Sequence, residues 1–173
     1  MDMNEHGNPL HELFHTGVRN LHTPEAGAIE LTERQVERLE NYPEMAARLR
    51  QHNMESKAPT ERLVDILKRH ETAPSAARNS VGAVVGNVAA ALHAPAPDEV
   101  LKNTANFAFE HQEIAAYTSL IAMVEKIGDT ASVAPLRQSL SEELAMAKWV
   151  GEQIVPTTVR FMELGAAGQK AAV

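Results

Sequence analysis

Apolar residues recur at spacings of three and four through four long stretches of this chain. This periodicity predicts helices over about residues 10–41, 43–70, 98–127 and 132–164. Good helix formers dominate these stretches, and no alternating strand pattern of useful length occurs, so the sequence predicts an all-α protein. Four long helices in one chain of 173 residues favour an antiparallel four-helix bundle.

Two prolines leave open how the first two stretches are built. Thr23 and Pro24 have the N-cap and first-turn character of a helix start. Residues 10–41 therefore form either one kinked helix or two short ones. Pro59 gives residues 43–70 the same two alternatives.

One domain accounts for most of the chain. Residues 10–164 are predicted to form the bundle, with a flexible N-terminus over residues 1–9 and a flexible C-terminal tail over residues 165–173. The short apolar stretch at residues 81–88 lies between the two helical hairpins. It is predicted to add one or two short helices there, and it is too short to span a bilayer.

Composition narrows the function classes. The chain carries 16 Lys+Arg against 23 Asp+Glu, a formal net charge of -7, which argues against a nucleic-acid partner because such proteins normally present a basic face. Cysteine is absent, which excludes disulfides and thiolate metal ligands. The first residues lack the basic-then-apolar layout of a signal peptide, and no long apolar run occurs, so we expect a cytoplasmic protein without membrane association.

Acidic residues interrupt the apolar stripe of each predicted helix near its middle. Extended at about 3.5-residue spacing, the stripes pass through Glu25, His52, Glu55, Glu110, Glu113 and Glu143. Glu142 is the alternative to Glu143 as the inward residue of the last helix. Because ionised carboxylates are costly in a core and no Lys or Arg lies on the stripes, three alternatives remain. The carboxylates bind cations, they are protonated, or the true register turns them to solvent.

Cation binding is the favoured alternative. Glutamates from four helices converging inside a bundle are the ligand plan of di-iron and di-manganese carboxylate proteins. Oxygen-rich sites with some imidazole suit iron or manganese, so we predict one or two Fe or Mn ions. His22 and His52 precede Glu25 and Glu55 by one helical turn and are either ligands or hydrogen-bond partners of ligands.

A second pattern competes near the N-terminus. The segment His11-Glu12-Leu13-Phe14-His15 matches H-E-x-x-H, in which two histidines on one helical face hold Zn²⁺ and the Glu activates water. A protease of this type also needs a third ligand and a substrate-binding edge strand, and no strand is visible. A surface helix start with Phe14 packed inward is therefore the favoured interpretation.

One segment resembles a known family. Residues 109–117, Phe-Glu-His-Gln-Glu-Ile-Ala-Ala-Tyr, are very similar to the central helix signature of the YciE/YciF-type bacterial stress-protein family, a ferritin-like group, and the similarity extends over about residues 10–160. The resemblance implies a ferritin-like bundle, a homodimer and a two-metal carboxylate site. By position it places the ligands on Glu25, Glu55, Glu110, Glu113 and Glu143. Relatives commonly carry an acidic residue where this chain has Ala147.

The resemblance links the chain to stress responses but implies no established reaction. We therefore expect a ferritin-like protein that binds Fe or Mn and serves oxidative or general stress defence, with catalytic residues and redox partner undefined. If it is an enzyme, a di-metal oxidoreductase or peroxidase-like activity is expected. The alternative is a non-catalytic structural or stress dimer with a vestigial metal site.

Overall fold

The structure, a computed structural model, describes residues 8–72 and 99–170. Its helices are α1 (Pro9–Val36), α2 (Pro43–Glu55), α3 (Lys57–Arg69), α4 (Glu99–Ile127) and α5 (Thr130–Ala166). These two ranges contain no strand, so the all-α prediction is confirmed. The predicted short helices near residues 81–88 lie outside the described residues. Among the described helices, none has both the length and the apolar character of a membrane span.

Local chemistry sets the helix ends. Asn8 caps α1 by accepting a hydrogen bond from the Leu10 backbone N–H at 3.0 Å, and Pro9 follows as the first helical residue. Gly128 ends α4 with a φ of 80°, a left-handed conformation that glycine adopts without a steric penalty. Asp129 then caps α5 by accepting from two backbone N–H groups of its first turn. The short connection makes α4 and α5 an antiparallel hairpin.

The two prolines have different outcomes. Helix α1 continues through Pro24 as one helix, so Thr23 lies inside it and does not cap a second helix. The Thr23 hydroxyl donates to the Arg19 carbonyl, one turn earlier, at 3.2 Å. The second stretch is two helices that meet at Ser56. Pro59 lies in the first turn of α3, where a missing backbone N–H costs no helical hydrogen bond.

Helix α1 runs antiparallel to α2 and α3. The Asn53 side chain donates to the Ile29 carbonyl at 3.4 Å, and the Arg19 guanidinium donates to the Thr72 hydroxyl. Positions late in α1 therefore meet α2, while positions early in α1 meet the end of α3. Around the bundle the neighbours follow the order α1, α2–α3, α5 and α4.

Helix α4 is also antiparallel to α1. Asn106 near its start donates to Gln35 near the end of α1 at 3.2 Å, and Leu120 packs closely on Gly17. Since α2–α3 and α4 both oppose α1, they run in the same direction. Thr72 and Glu99 therefore lie toward opposite ends of the bundle, and the single long crossover that joins them is the connectivity of ferritin-like folds.

Two apolar clusters fill the interior of the bundle. The first lies toward the start of α1 and contains Phe14, Val18, Leu21, Leu63, Ile66, Leu67, Tyr117, Leu120, Val124 and Leu136. The second lies toward the end of α1 and contains Val36, Leu39, Tyr42, Met45, Ala46, Leu49, Met146, Val150 and Leu164. Glu143 follows Leu136 of the first cluster and precedes Met146 of the second. The bundle thus has a polar layer between two apolar ones.

Candidate metal centre

The polar layer contains four of the predicted ligands. They are His52 on α2, Glu110 and Glu113 on α4, and Glu143 on α5. Glu110 and Glu113 are each 4% exposed and Glu143 is 2% exposed, so all three carboxyls are removed from water. His52 Nε2 lies 3.6 Å from Glu110 Oε1. One ligand atom from each of His52, Glu110 and Glu143 lies within 4.8 Å of the other two.

Helical register turns these side chains inward. On α4, Asn106, Glu110, Glu113 and Tyr117 follow one another at spacings of four, three and four, and all are buried. Tyr117 is fully buried in the first apolar cluster and fixes this face against the core. Because a helix cannot turn one residue outward without turning its neighbours, the apolar residues hold the carboxylates in the interior.

A cavity of about 30 Å³ lies between these groups. A single water needs at least about 10–15 Å³, so this space holds an ion or one or two waters. Its walls are Ala28, Ile29, Thr32, Leu49, His52, Asn53, Ser56, Asn106, Phe109, Glu110, Glu113 and Glu143. Donors around an octahedral ion with short bonds stand about 3–4 Å apart, so small side-chain movements would bring the three ligand atoms into range.

Burial controls the protonation of Glu143. The pKa of Glu143 is raised from 4.5 to about 7, chiefly by burial and to a smaller extent by the charge of Glu142. Hydrogen bonds shared with Glu110 and Glu113 and the charge of Arg62 act in the opposite direction. Its second oxygen, Oε2, is buried without a hydrogen-bond partner in the described part of the chain. Near neutral pH the carboxyl therefore exchanges its proton readily, and it has an acceptor atom available for a cation.

His52 is neutral at physiological pH. Burial lowers its pKa to about 4, and the charge of Arg48 acts in the same direction, while Glu55 opposes both. The ring nitrogen Nε2 lies 3.4 Å from the Ser56 hydroxyl and 3.6 Å from Glu110. A neutral imidazole beside carboxylates is in the protonation state that a metal ligand needs.

Glu55 is placed differently from the stripe prediction. Its carboxylate accepts hydrogen bonds from Arg48 at 2.9 Å and from Gln51 at 2.7 Å, and the side chain is 42% exposed. Glu55 is the last residue of α2, and its bonds to Arg48 and Gln51 hold the carboxylate at the surface, whereas the stripe alone predicts it inside. It does not line the cavity.

The choice between Glu142 and Glu143 is decided by an arginine. Arg62 on α3 donates to both oxygens of Glu142, at 2.6 Å and 2.9 Å, and also to the Ser139 hydroxyl. This pair holds Glu142 at the margin of the bundle and leaves Glu143 inside. The pKa of Glu142 is lowered, because the hydrogen bonds from Arg62 and Gln138 outweigh the effect of partial burial.

The predicted ligands of α1 are less defined. His22 is half-buried, and burial lowers its pKa, but it does not line the cavity. Glu25 belongs to α1 at a position one turn before Ala28 and Ile29, which do line it. The side chain of Glu25 lies outside the described residues. Both remain predictions as ligands.

Sequence reasoning missed the uncharged polar residues of the cavity wall. Asn53 donates to the Ile29 carbonyl at 3.4 Å, and Asn106 donates to Gln35 at 3.2 Å, so both bridge to α1. The available signal was the position of Asn106 four residues before Glu110, on the same helical face. An amide does not stand out on an apolar stripe as a carboxylate does, because its burial costs less.

Fold and cavity together define the class: a helical bundle that buries carboxylates and an imidazole at mid-length. The chain belongs to the family described as "Domain of unknown function (DUF892)", which matches residues 9–163. This family is part of the ferritin-like superfamily. The narrower resemblance to the YciE/YciF type stays a prediction.

Two solved structures have the same fold. A protein from Xanthomonas campestris pv. campestris is 21% identical, with a TM-score of 0.78, over 92% of this chain and 99% of that chain. YcfI from Rhodopseudomonas palustris is 22% identical, with a TM-score of 0.71, over 87% of this chain and 98% of that chain. At these identities the likeness shows the fold alone.

Proposed function

We propose that this protein binds a divalent iron or manganese ion in the mid-bundle cavity. The observation that carries the proposal is the buried Oε2 of Glu143, which has no hydrogen-bond partner among the described residues and belongs to a carboxyl that lines the cavity with Glu110 and His52. A buried acceptor without a partner costs free energy, which a bound cation would recover. Three carboxyls and one imidazole form an oxygen-rich set that suits Fe²⁺ or Mn²⁺.

Each residue has a defined task in this proposal. His52, Glu110 and Glu143 are the ligands, and Glu113 lies beside them as a further ligand or as the hydrogen-bond partner of Glu143. Glu143 must release its proton when the ion enters, so binding is coupled to proton release near neutral pH. Leu49 and Phe109 form apolar walls that limit the entry of water. A second ion would need Glu25 in addition.

A bound Fe or Mn ion would supply one-electron chemistry with peroxide or O₂. On this basis we propose a role in oxidative or general stress defence. The chain's own contribution is to hold the ligands in a small, mostly enclosed cavity. His52 remains neutral there and Glu143 accepts or releases a proton close to physiological pH.

Metal uptake tests the proposal. Protein purified without chelator is reconstituted anaerobically with Fe²⁺ or Mn²⁺, desalted and analysed for metal. Wild type is expected to retain about one equivalent of metal at this centre. Glu110→Gln/Glu143→Gln is expected to bind the metal at least about 100-fold more weakly, because it removes two charged ligands. Even the residues that only support the ligands of a metal site contribute a factor of about 10–100 in affinity.

The matched control is Glu125→Gln/Glu152→Gln. It makes the same charge change on the same two helices, at carboxylates that pair with Arg137 and Lys148 on the surface. This control is expected to bind metal like wild type. Failure of wild type to retain either metal, or equal uptake by the cavity double variant, contradicts the proposal.

A structural role without metal is the second candidate function. It is favoured by the Arg48–Glu55 pair, which keeps one predicted ligand out of the cavity. It is also favoured by the buried Ala147, at a position where the resemblance to the YciE/YciF-type family implies an acid. In this case Glu110→Gln/Glu143→Gln stabilises the metal-free protein and changes neither metal content nor any peroxide-consuming activity. The same double variant therefore separates the two functions.

We also propose that the chain forms a homodimer through α5. Val155, Val159 and Met162 recur at spacings of four and three and are 69%, 49% and 67% exposed, which makes an apolar stripe on the outer face of the helix. A second copy of the same helix would cover this stripe by two-fold symmetry.

Light scattering after size exclusion tests the dimer. Val159→Glu/Met162→Glu is expected to raise the dimer dissociation constant at least about 100-fold, because an unpaired carboxylate is costly to bury. The control Leu13→Glu/Met54→Glu changes two other exposed apolar side chains, outside α5, and is expected to leave the mass unchanged. A monomeric wild type at micromolar concentration contradicts the proposal.

A further inference from the structure

Three histidines meet at the end of the bundle where α1 begins. His11 and His15 lie one turn apart on α1, and His70 follows the last residue of α3. The ring centroids are 4.8 Å apart for His15 and His70, 6.1 Å for His11 and His70, and 6.2 Å for His11 and His15. One nitrogen from each ring lies within 4.8 Å of the other two. The tertiary fold thus adds a third imidazole to the H-E-x-x-H segment.

The environment of the His15 side chain indicates a missing ligand. It is only 4% exposed, and neither ring nitrogen has a hydrogen-bond partner in the described part of the chain. The nearest carboxylate oxygen, on Glu12, is 3.6 Å from Nδ1, beyond normal hydrogen-bond length. A buried imidazole without a partner is unfavourable, so its position next to two further imidazoles requires an explanation.

Asp129 holds the His70 ring in place. Its Nε2 lies 2.9 Å from Asp129 Oδ2, which leaves Nδ1 for a cation. Asp129 is itself fixed as the cap of α5, where its Oδ1 accepts backbone hydrogen bonds from Ala131 and Ser132. Carboxylate–histidine pairs of this kind orient the ligands of protein metal sites and set the tautomer.

The spacing suits a tetrahedral ion. With bonds of about 2.0–2.1 Å, three imidazoles around Zn²⁺ have ring centroids about 5.2 Å apart and nitrogens about 3.3 Å apart. The observed distances between ring centroids, 4.8 to 6.2 Å, lie on both sides of the centroid spacing expected around Zn²⁺. His11 is partly exposed and lies in the first turn of α1, so its ring can move the remaining distance.

We propose that His11, His15 and His70 bind a Zn²⁺ ion. Imidazole nitrogen suits zinc, and three protein ligands leave the fourth position to water. The ion would tie the start of α1 to the end of α3. The described residues contain no strand, so they lack the edge strand with which a zinc protease binds its substrate. We therefore propose a site for zinc binding and not for proteolysis.

This centre is separate from the mid-bundle cavity. Asp129, which orients His70, and Glu143 lie 14 residues apart, and α5 carries nearly all of that interval, which amounts to about 20 Å along the helix axis. The two sites therefore share no ligand, and each can be tested in the absence of the other. The failure of one proposal leaves the other intact.

Zinc titration of the full chain in the Glu110→Gln/Glu143→Gln background tests the site, because this background removes ligands of the other cavity. After treatment with chelator and desalting, calorimetry is expected to show one Zn²⁺ per chain. Co²⁺ is expected to give the intense visible absorption of a four-coordinate ion. His11→Ala and His70→Ala are each expected to weaken Zn²⁺ binding at least about 100-fold, since each removes a direct ligand.

The matched control is His111→Ala. His111 is exposed, and its Nδ1 lies 2.9 Å from the Phe107 carbonyl, so it belongs to neither site. It is expected to bind Zn²⁺ like its background. Because His11 and His70 are both partly exposed, their variants are expected to fold, which circular dichroism verifies. Absence of stoichiometric Zn²⁺ binding, or binding unchanged in both variants, overturns the proposal.

Discussion

At pH 8 the metal-free Glu143→Gln variant is expected to exceed wild type in free energy of unfolding by roughly 3 kcal/mol. The reason is the pKa of Glu143, which burial raises from 4.5 to about 7. Below pH 4.5 the carboxyl is protonated in both the folded and the unfolded protein. Between pH 4.5 and 7 the unfolded chain ionises first, so wild type loses about 1.4 kcal/mol per pH unit. Glutamine cannot ionise, so the variant does not have this loss.

Urea unfolding of chelator-treated protein between pH 4 and pH 8 measures the effect. The difference between variant and wild type is expected to be small at pH 4, to grow up to about pH 7 and then to level off. Equal stability of the two proteins across this range would contradict a raised pKa of Glu143 in the folded protein.

The adjacent residue provides a control of opposite sign. Glu142 has a lowered pKa because Arg62 and Gln138 hydrogen-bond its carboxylate. The ionised Glu142 stabilises the folded protein at pH values above its pKa in the unfolded chain. This stabilisation is lost as the pH falls through its lower pKa in the folded protein. Glu142→Gln is therefore expected to destabilise the protein near neutral pH and to have little effect in acid. The direction of each side chain decides whether an ion pair, at Glu142, or burial, at Glu143, sets its pKa.

Lys102→Met is expected to reduce the free energy of unfolding by about 3–5 kcal/mol, because it leaves a buried carboxylate unpaired. Lys102 and Glu99 are 1% and 0% exposed, and Lys102 Nζ donates to Glu99 Oε1 at 2.8 Å. The second oxygen of Glu99 has no hydrogen-bond partner within the described ranges, so the lysine is the main compensation. The pair lies in the first turn of α4, the helix that carries Glu110 and Glu113.

A double-mutant comparison checks the reason for this loss. Lys102→Met/Glu99→Leu removes both charges and is expected to be as stable as wild type or more so. An exposed pair with the same sequence spacing, Asp65 and Lys68 at 3.1 Å, provides the reference. Lys68→Met is expected to change stability by less than about 0.5 kcal/mol. If Lys102→Met lowered the free energy of unfolding in urea as little as Lys68→Met does, Lys102 would not compensate the buried charge of Glu99.

The candidate site was predictable where one helix decides the orientation of a side chain. Glu110 and Glu113 lie at fixed spacings from buried Tyr117, and Glu143 lies seven residues after buried Leu136. A period of 3.6 residues carries the apolar face to these positions without any knowledge of the neighbouring helices. The same periodicity predicts Glu55 inside, whereas Glu55 ends α2 and its carboxylate pairs with Arg48 and Gln51 at the surface.

The all-α class, the approximate extent of the helices and the inward face of α4 and α5 follow from the residue pattern, because they depend on interactions within a few residues. Which polar side chains meet depends on the packing of the helices against one another. Arg62 reaches Glu142 from another helix, and His70 joins His11 and His15 across 55 residues or more of chain. Such encounters depend on how the helices pack and cross, and local periodicity contains no information about that packing.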